Sequence, residues 1–167
     1  MTLATFVLFL VTLQRGGELV LARANTARLT KAGGIETGAG HYPVMVLLHA
    51  SWLVALWLFG WNASVNPWLL AAYGLLQCFR IWILASLGRR WTTRIIALPG
   101  ERLVRRGPYR LLRHPNYLLV LFEVPLLPLA LGLPWLALGF GLLNVAMLAW
   151  RIKSEERALS PLRQAAQ

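Results

Sequence analysis

Apolar residues arrive along this chain in long runs: Pro43–Trp61, Pro67–Leu87, Asn116–Leu133 and Pro134–Trp150. Roughly 20 consecutive apolar residues carry a helix across the hydrocarbon of a bilayer, so each run is about long enough to span with little tilt. A fifth run, Met1–Leu13, is short and reaches spanning length only by continuing past Glu18 to about Leu21. No cation precedes it and no small-residue cleavage site follows, so it reads as a first span rather than a signal peptide. The pattern predicts an all-α integral membrane protein of five transmembrane helices. No polar linker is long enough to separate two units, so residues 1–167 form a single domain.

Composition agrees. The chain is 57% hydrophobic and 14% charged, with a mean hydropathy of +0.57, too apolar for a water-soluble domain of this size. Cys78 is the only cysteine, which rules out an internal disulfide. A formal net charge of +11 raises the question of nucleic acid, but the placement of the cations answers against it. Arg15, Arg23, Arg28 and Lys31 lie in or after the end of the first span. Arg89, Arg90, Arg94, Arg102, Arg105, Arg106, Arg110 and Arg113 fill the third connection, and Arg151, Lys153, Arg157 and Arg163 the tail. The loop Asn62–Asn66 and the turn around Gly132 carry no charge. Five spans put all three basic blocks on one side, which the positive-inside rule makes cytoplasmic. The amino terminus is then outside and the carboxyl terminus inside, as expected for a multi-pass membrane protein.

The cytoplasmic connections carry more detail. The first begins helical and dissolves at Gly33–Gly34 and Gly38–Gly40, after which His41-Tyr42-Pro43 opens the second span. In the third, "WTTRIIAL" is rich in β-branched residues, Pro99-Gly100 is a turn signal and "RLV" follows, which predicts a small hairpin. Gly107-Pro108 starts a short helix, and Pro115 restarts the chain as the fourth span. "RLLRHPNYLL" is therefore an elbow at the membrane surface. Anchoring accounts for its Arg110, Arg113 and Tyr117; it does not require His114 or Asn116.

Polar residues also occur inside the spans. At ~1.5 Å rise per residue, His49 lies ~9 Å from the inner end of its span, Arg80 ~10 Å, Glu123 ~12 Å and Asn144 ~10 Å. Glu18 is nearer the inner surface. Ionisable groups inside a membrane are costly and face a cavity or one another. Two readings follow: an Arg80–Glu123 ion pair that holds the bundle, or a polar chamber in which Arg80, His49 and Asn144 bind an acceptor.

"LVRRGPYRLLRHPNYL", followed one helical hairpin later by "RIKSEERAL", resembles the isoprenylcysteine carboxyl methyltransferase family, which belongs with the membrane phospholipid methyltransferases. The upstream pieces "RIWILASLGRRWTTRI" and "GHYPVMVLLH" resemble a short bacterial subgroup, some of whose members act on lipid-like polyketides. The resemblance implies S-adenosylmethionine bound from the cytosol under the elbow and a lipophilic acceptor arriving sideways from the bilayer lipids. Carried over by position, Glu101, Arg102, Leu103 and Val104 line the adenosyl pocket. Tyr109, His114, Pro115, Asn116 and Tyr117 complete it, and Glu155 meets the cofactor's polar end with Glu156 as neighbour. Arg151, one turn before Glu155 on the same face, becomes a catalytic residue on the acceptor side. No metal is implied. The partners expected are a lipophilic small molecule and membrane lipids, not nucleic acid.

Glu123 departs from what a carboxylate-methylating site needs, because a carboxylate is already a nucleophile at neutral pH. A phenol or enol must lose a proton, and a buried carboxylate can take it. The sequence thus points to O-methylation of a hydroxyl, on a polyketide-type or isoprenoid lipid, with Glu123 as base. Carboxyl methylation of a prenylcysteine-like substrate is the alternative. A reading of another class, an NADPH-dependent membrane sterol-type reductase, shares the R-H-P-N-Y elbow. The terminal R-x-x-x-E-E does not suit it.

Overall fold

The computed structural model describes residues 1–99 and 104–164, with side chains through Glu155. Five helices make up most of it: α1 (Leu3–Lys31), α2 (Tyr42–Gly60), α3 (Pro67–Leu87), α4 (Pro115–Ala130) and α5 (Pro134–Gln164). Two short strands, β1 (Ile35–Thr37) and β2 (Ile95–Ala97), lie between them in sequence. Four stretches, Leu3–Lys31, Ala39–Gly60, Pro67–Arg90 and Pro134–Glu155, are long and apolar enough to cross a membrane, while Pro115–Ala130 is apolar but shorter. The exposed surface is that of a protein in lipid. Phe9, Leu47, Leu58, Leu75, Ile81, Phe122 and Leu138 all face outward, where in water they would form aggregation-prone patches.

Local chemistry starts and stops these helices. The Thr2 hydroxyl accepts from Thr5 N at 3.1 Å as an N-cap. The Thr2 and Thr5 hydroxyls donate to Trp61 O at 3.0 and 2.6 Å, which ties the start of α1 to the end of α2. The Asn66 side chain caps α3 by accepting from Trp68 N and Leu69 N, with Pro67 in the first turn. α4 contains Pro125 and Pro128. A proline supplies no N–H, so the carbonyl four residues earlier loses its helical partner. For Pro128 that carbonyl belongs to Val124, and Trp52 Nε1 from α2 donates to it at 3.0 Å. The same region, at the end of the bundle away from the elbow, holds the apolar core of Leu8, Val11, Trp52, Leu56, Tyr73, Val124, Leu127 and Leu131.

The first helix runs without a break past the apolar stretch to Lys31, in keeping with a first connection that begins helical and dissolves at Gly33–Gly34. Past the apolar stretch its residues are still good helix formers, and the extension has something to dock on. Buried Asn25 donates to Trp91 O at 2.8 Å and Gly88 O at 3.3 Å, and Arg28 donates to Arg89 O. β2 forms and pairs antiparallel with β1, with Ile35 opposite Ala97 and Thr37 opposite Ile95, a partner the sequence did not indicate; Arg102 and Leu103 of the expected "RLV" partner lie outside the described residues. Arg94 closes this ribbon, donating to both Glu36 carboxylate oxygens at 2.8 Å and stacking over Tyr42 at 4.3 Å.

Candidate active site at the elbow

The chain from Gly107 to Arg110 is a single 3-10 turn, and α4 begins at Pro115. Gly107 adopts φ +57, and a Cβ there would stand 2.0 Å from Ser86 Oγ and 3.2 Å from Trp82 Nε1. Only glycine lets the elbow lie this close to the end of α3. Arg106 reinforces the contact, its Nε donating to Ser86 O at 2.6 Å.

The elbow brings its polar residues against the inner part of α5. The Tyr117 hydroxyl donates to Glu155 Oε2, and Arg151 Nε donates to the Tyr117 hydroxyl at 3.0 Å. His114 Nδ1 lies 3.6 Å from Glu155 Oε2, and its ring stacks on Tyr117 with centroids 5.3 Å apart. His114 Nε2 is buried without a hydrogen-bond partner. Pro115 is buried, while Tyr109 and Asn116 are half-buried. Burial, with the Glu155 carboxylate adding to it, pushes the Tyr109 phenol above its ordinary range, so it stays a protonated donor. Arg151 is buried. Its Nη2 donates to Thr93 O at 2.7 Å and its Nη1 touches the Met45 sulfur.

Tyr109, His114, Tyr117, Arg151 and Glu155 therefore gather around one junction of elbow and α5, with Pro115 and Asn116 next to them in the first turn of α4. Val104 lines a cleft of about 500 Å³ with Leu87, Arg89, Arg90, Arg105 and Arg106. Glu101, Arg102 and Leu103, and the side chain of Glu156, lie outside the described residues. One turn above Arg151, an apolar groove of about 230 Å³ runs between α2 and α5, lined by Val44, Leu48, Leu143, Ala146, Met147 and Trp150.

The intramembrane polar layer divides. Arg80 and Glu123 do meet, Arg80 Nε donating to Glu123 Oε1 at 3.3 Å and Nη2 contacting Oε2. Gln77 donates to Glu123 Oε1 at 2.8 Å and the Tyr73 hydroxyl approaches it at 3.5 Å. Arg15 Nη2 lies 2.5 Å from the same oxygen. Glu18 belongs here too, rather than at the inner surface: it faces Arg80 at 3.0 Å and Arg15 at 3.1 Å. His49 and Asn144 bond elsewhere. His49 Nδ1 donates to Met45 O at 2.8 Å within its own helix, and Asn144 Nδ2 to Val120 O at 3.1 Å.

The sequence reading missed Met45 and Thr93 beside Arg151, and Arg15 and Gln77 beside Glu123. A signal existed for Arg15, which stands three residues before Glu18 and so on the same helix face. Met45 and Thr93 contribute a sulfur and a backbone carbonyl, which no motif marks.

A family model described as "Isoprenylcysteine carboxyl methyltransferase (ICMT) family" matches residues 68–161. A Bacillus subtilis (strain 168) relative bearing the name "Uncharacterized protein YpbQ" is 35% identical over 151 residues, 87% of this chain and 90% of that protein. No solved structure matches.

Proposed function

Because the chain belongs to the isoprenylcysteine carboxyl methyltransferase family, we propose that it uses S-adenosylmethionine to methylate an oxygen of a lipophilic acceptor at the cytoplasmic face of a bacterial inner membrane. The observation that carries this reading is the junction of elbow and α5. His114, Tyr117 and Glu155 converge there, and His114 Nε2 is buried with no partner. Buried polar atoms are nearly always paired, so a spare imidazole nitrogen beside a carboxylate fits a polar ligand. S-adenosylmethionine suits this donor set. Glu155 would meet its ammonium, while His114 and the protonated Tyr109 would offer hydrogen bonds to its ribose and carboxylate. Bound there, it supplies a methyl group on a sulfonium.

Arg151 faces the acceptor in this reading. Of the five N–H donors of a guanidinium, one goes to Tyr117 and one to Thr93, while Nη1 rests on Met45. The planar group is held in one orientation with donors to spare, as positioning an acceptor oxygen requires. The α2–α5 groove beside it is apolar and fits the acceptor's hydrocarbon portion. In this arrangement the amino terminus is outside, and the elbow and carboxyl terminus are cytoplasmic. Glu123 holds the bundle through Arg15 and Arg80, because its oxygens are already taken.

Calorimetry tests the cofactor assignment. His114→Ala and Glu155→Ala each remove a contact worth ~1.5–3 kcal/mol if charge-assisted, so each should weaken S-adenosylmethionine binding roughly 10- to 100-fold in a chain that still inserts. Unchanged affinity in both variants would falsify the site.

A further inference from the structure

The basic cleft at the inner end of α3 has no part in the junction of elbow and α5. Leu87 and Val104 line it together with Arg89, Arg90, Arg105 and Arg106. Arg90 has a contact of its own. Arg89 and Arg105 are exposed, and among the described residues no carboxylate pairs with either. Glu18 and Glu123 belong to the network with Arg15 and Arg80, Glu36 to Arg94, and Glu155 to the elbow. Arg106 is built in. Its Nε donates to Ser86 O at 2.6 Å, and its Nη2 lies 3.9 Å from where a Cβ on Gly88 would stand. The guanidinium is thus laid across the last turn of α3 by one nitrogen, which leaves the Nη1–Nη2 edge for a ligand. The turn that bears Arg89 is fixed as well: Arg28 of α1 donates to Arg89 O, and Asn25 to Gly88 O at 3.3 Å. Lipid-facing surface leads up to the cleft. Ile81 and Trp82 are exposed on α3, and Trp82 Nε1 lies 3.2 Å from where a Cβ would stand on Gly107, the residue after Arg106. An indole with its apolar body in lipid and its N–H toward the elbow marks the boundary between hydrocarbon and head groups.

We propose that this cleft binds the phosphate of an anionic phospholipid whose acyl chains lie along α3 beside Ile81 and Trp82. Topology alone calls for cations on this side. It counts charges, however, and asks neither for a cleft nor for an arginine tethered through Nε. A guanidinium edge matches two phosphate oxygens at once, and Arg89 and Arg105 add charge without a carboxylate to cancel it. A free phosphate would find the same donors. The exposed isoleucine and indole beside them favour a phosphate that brings its own hydrocarbon. Arg89 stands on the end of α3, while Arg105 and Arg106 stand on the chain that enters the elbow. A phosphate held by all three bridges these segments, so the lipid clamps the elbow to α3 alongside the Gly107 contact.

The test uses the full chain purified in a neutral maltoside detergent and titrated with dioleoyl phosphatidylglycerol or dioleoyl phosphatidylcholine under native mass spectrometry. The chain should retain one phosphatidylglycerol under conditions that strip phosphatidylcholine. Arg89→Gln/Arg105→Gln should weaken that retention by roughly fivefold per arginine, hence about 25-fold for the pair. Arg23→Gln/Lys31→Gln removes as much charge from the same side, outside the cleft, and should leave retention unchanged. Thermal melting gives a second readout: phosphatidylglycerol should raise the melting temperature of the unsubstituted chain and of the Arg23/Lys31 variant, but not that of the Arg89/Arg105 variant. Equal losses in the two double variants would mean a diffuse surface potential and overturn the proposal. Displacement of the lipid by millimolar glycerol 3-phosphate or inorganic phosphate would make this a site for a soluble phosphate and overturn the lipid assignment. Should the cleft variant fail to insert, the unsubstituted chain still decides: equal retention of the two lipids sinks the proposal.

Discussion

Glu123 sits on α4 with Arg80 on α3 and Arg15 on α1 beside it, inside a network that also takes in Glu18. Two carboxylates and two guanidiniums balance, so the network carries no net charge. Removing one partner breaks that balance. Glu123→Gln leaves Arg15 and the buried Arg80 to share Glu18, one positive charge uncompensated, and breaking a buried pair costs ~3–5 kcal/mol. The variant should melt well below the parent in detergent, and Arg80→Gln/Glu123→Gln should recover part of the loss by double-mutant analysis. A Glu123→Gln chain of unchanged stability whose turnover nonetheless collapses would restore Glu123 as the base. The Arg80–Glu123 pair was legible in the sequence because each residue stands alone in an apolar run, where an ionisable group needs a partner. Arg15 was legible only through its spacing from Glu18. A guanidinium just past an apolar run can reach out to head groups or inward to a carboxylate, and the choice depends on helix rotation, which charge counting does not fix.

Gly107 does at the level of elements what Glu123 does between side chains: it sets how closely two pieces meet. A Cβ at its φ of +57 would meet Ser86 Oγ at 2.0 Å, so the elbow would have to lift from α3. Strain of this kind costs ~1–3 kcal/mol before the clash is counted. Gly107→Ala should lower the melting temperature and S-adenosylmethionine affinity together, and normal affinity in a normally stable variant would show that the elbow does not need this contact. The helices were readable because unbroken apolar runs, prolines in first turns and an Asn cap each have a local cause. The β1–β2 ribbon was half readable. The β-branched residues 92–97 announced a strand, but its partner lies some sixty residues earlier, and only the folding of α1 to α3 brings the two together. The continuation of α1 to Lys31 was readable from the helical start of the first connection, but its docking was not. Hydropathy ends where the lipid ends, while the helix goes on because Asn25 and Arg28 find carbonyls to bind.

For the molecule as a whole, the apolar runs and basic blocks conveyed a membrane bundle, and the quoted motifs conveyed its family. What they did not convey is how the polar groups sort into a buried network and a separate surface junction. That sorting is a matter of azimuth, and α1 to α5 are too uniformly apolar to reveal which face each presents. α4 adds a property of a different kind. It has 16 residues, about 24 Å at ~1.5 Å per residue, against a hydrocarbon thickness of about 30 Å, and it shows Leu118, Phe122 and Leu129 to the outside. Hydrophobic mismatch follows: lipids touching α4 must shorten, forming a thinned collar on the flank that carries His114 and Tyr117. Head groups and water drawn inward there would shorten the path by which the cofactor of the proposed function reaches the elbow. Turnover should therefore depend on acyl-chain length, highest in thin phosphatidylcholine bilayers and falling as the chains lengthen at constant fluidity. Reconstitution across such a series measures it. A rate independent of thickness would mean that α4 tilts with its neighbours and the collar does not form; a graded rate would make the bilayer itself a regulator of this enzyme.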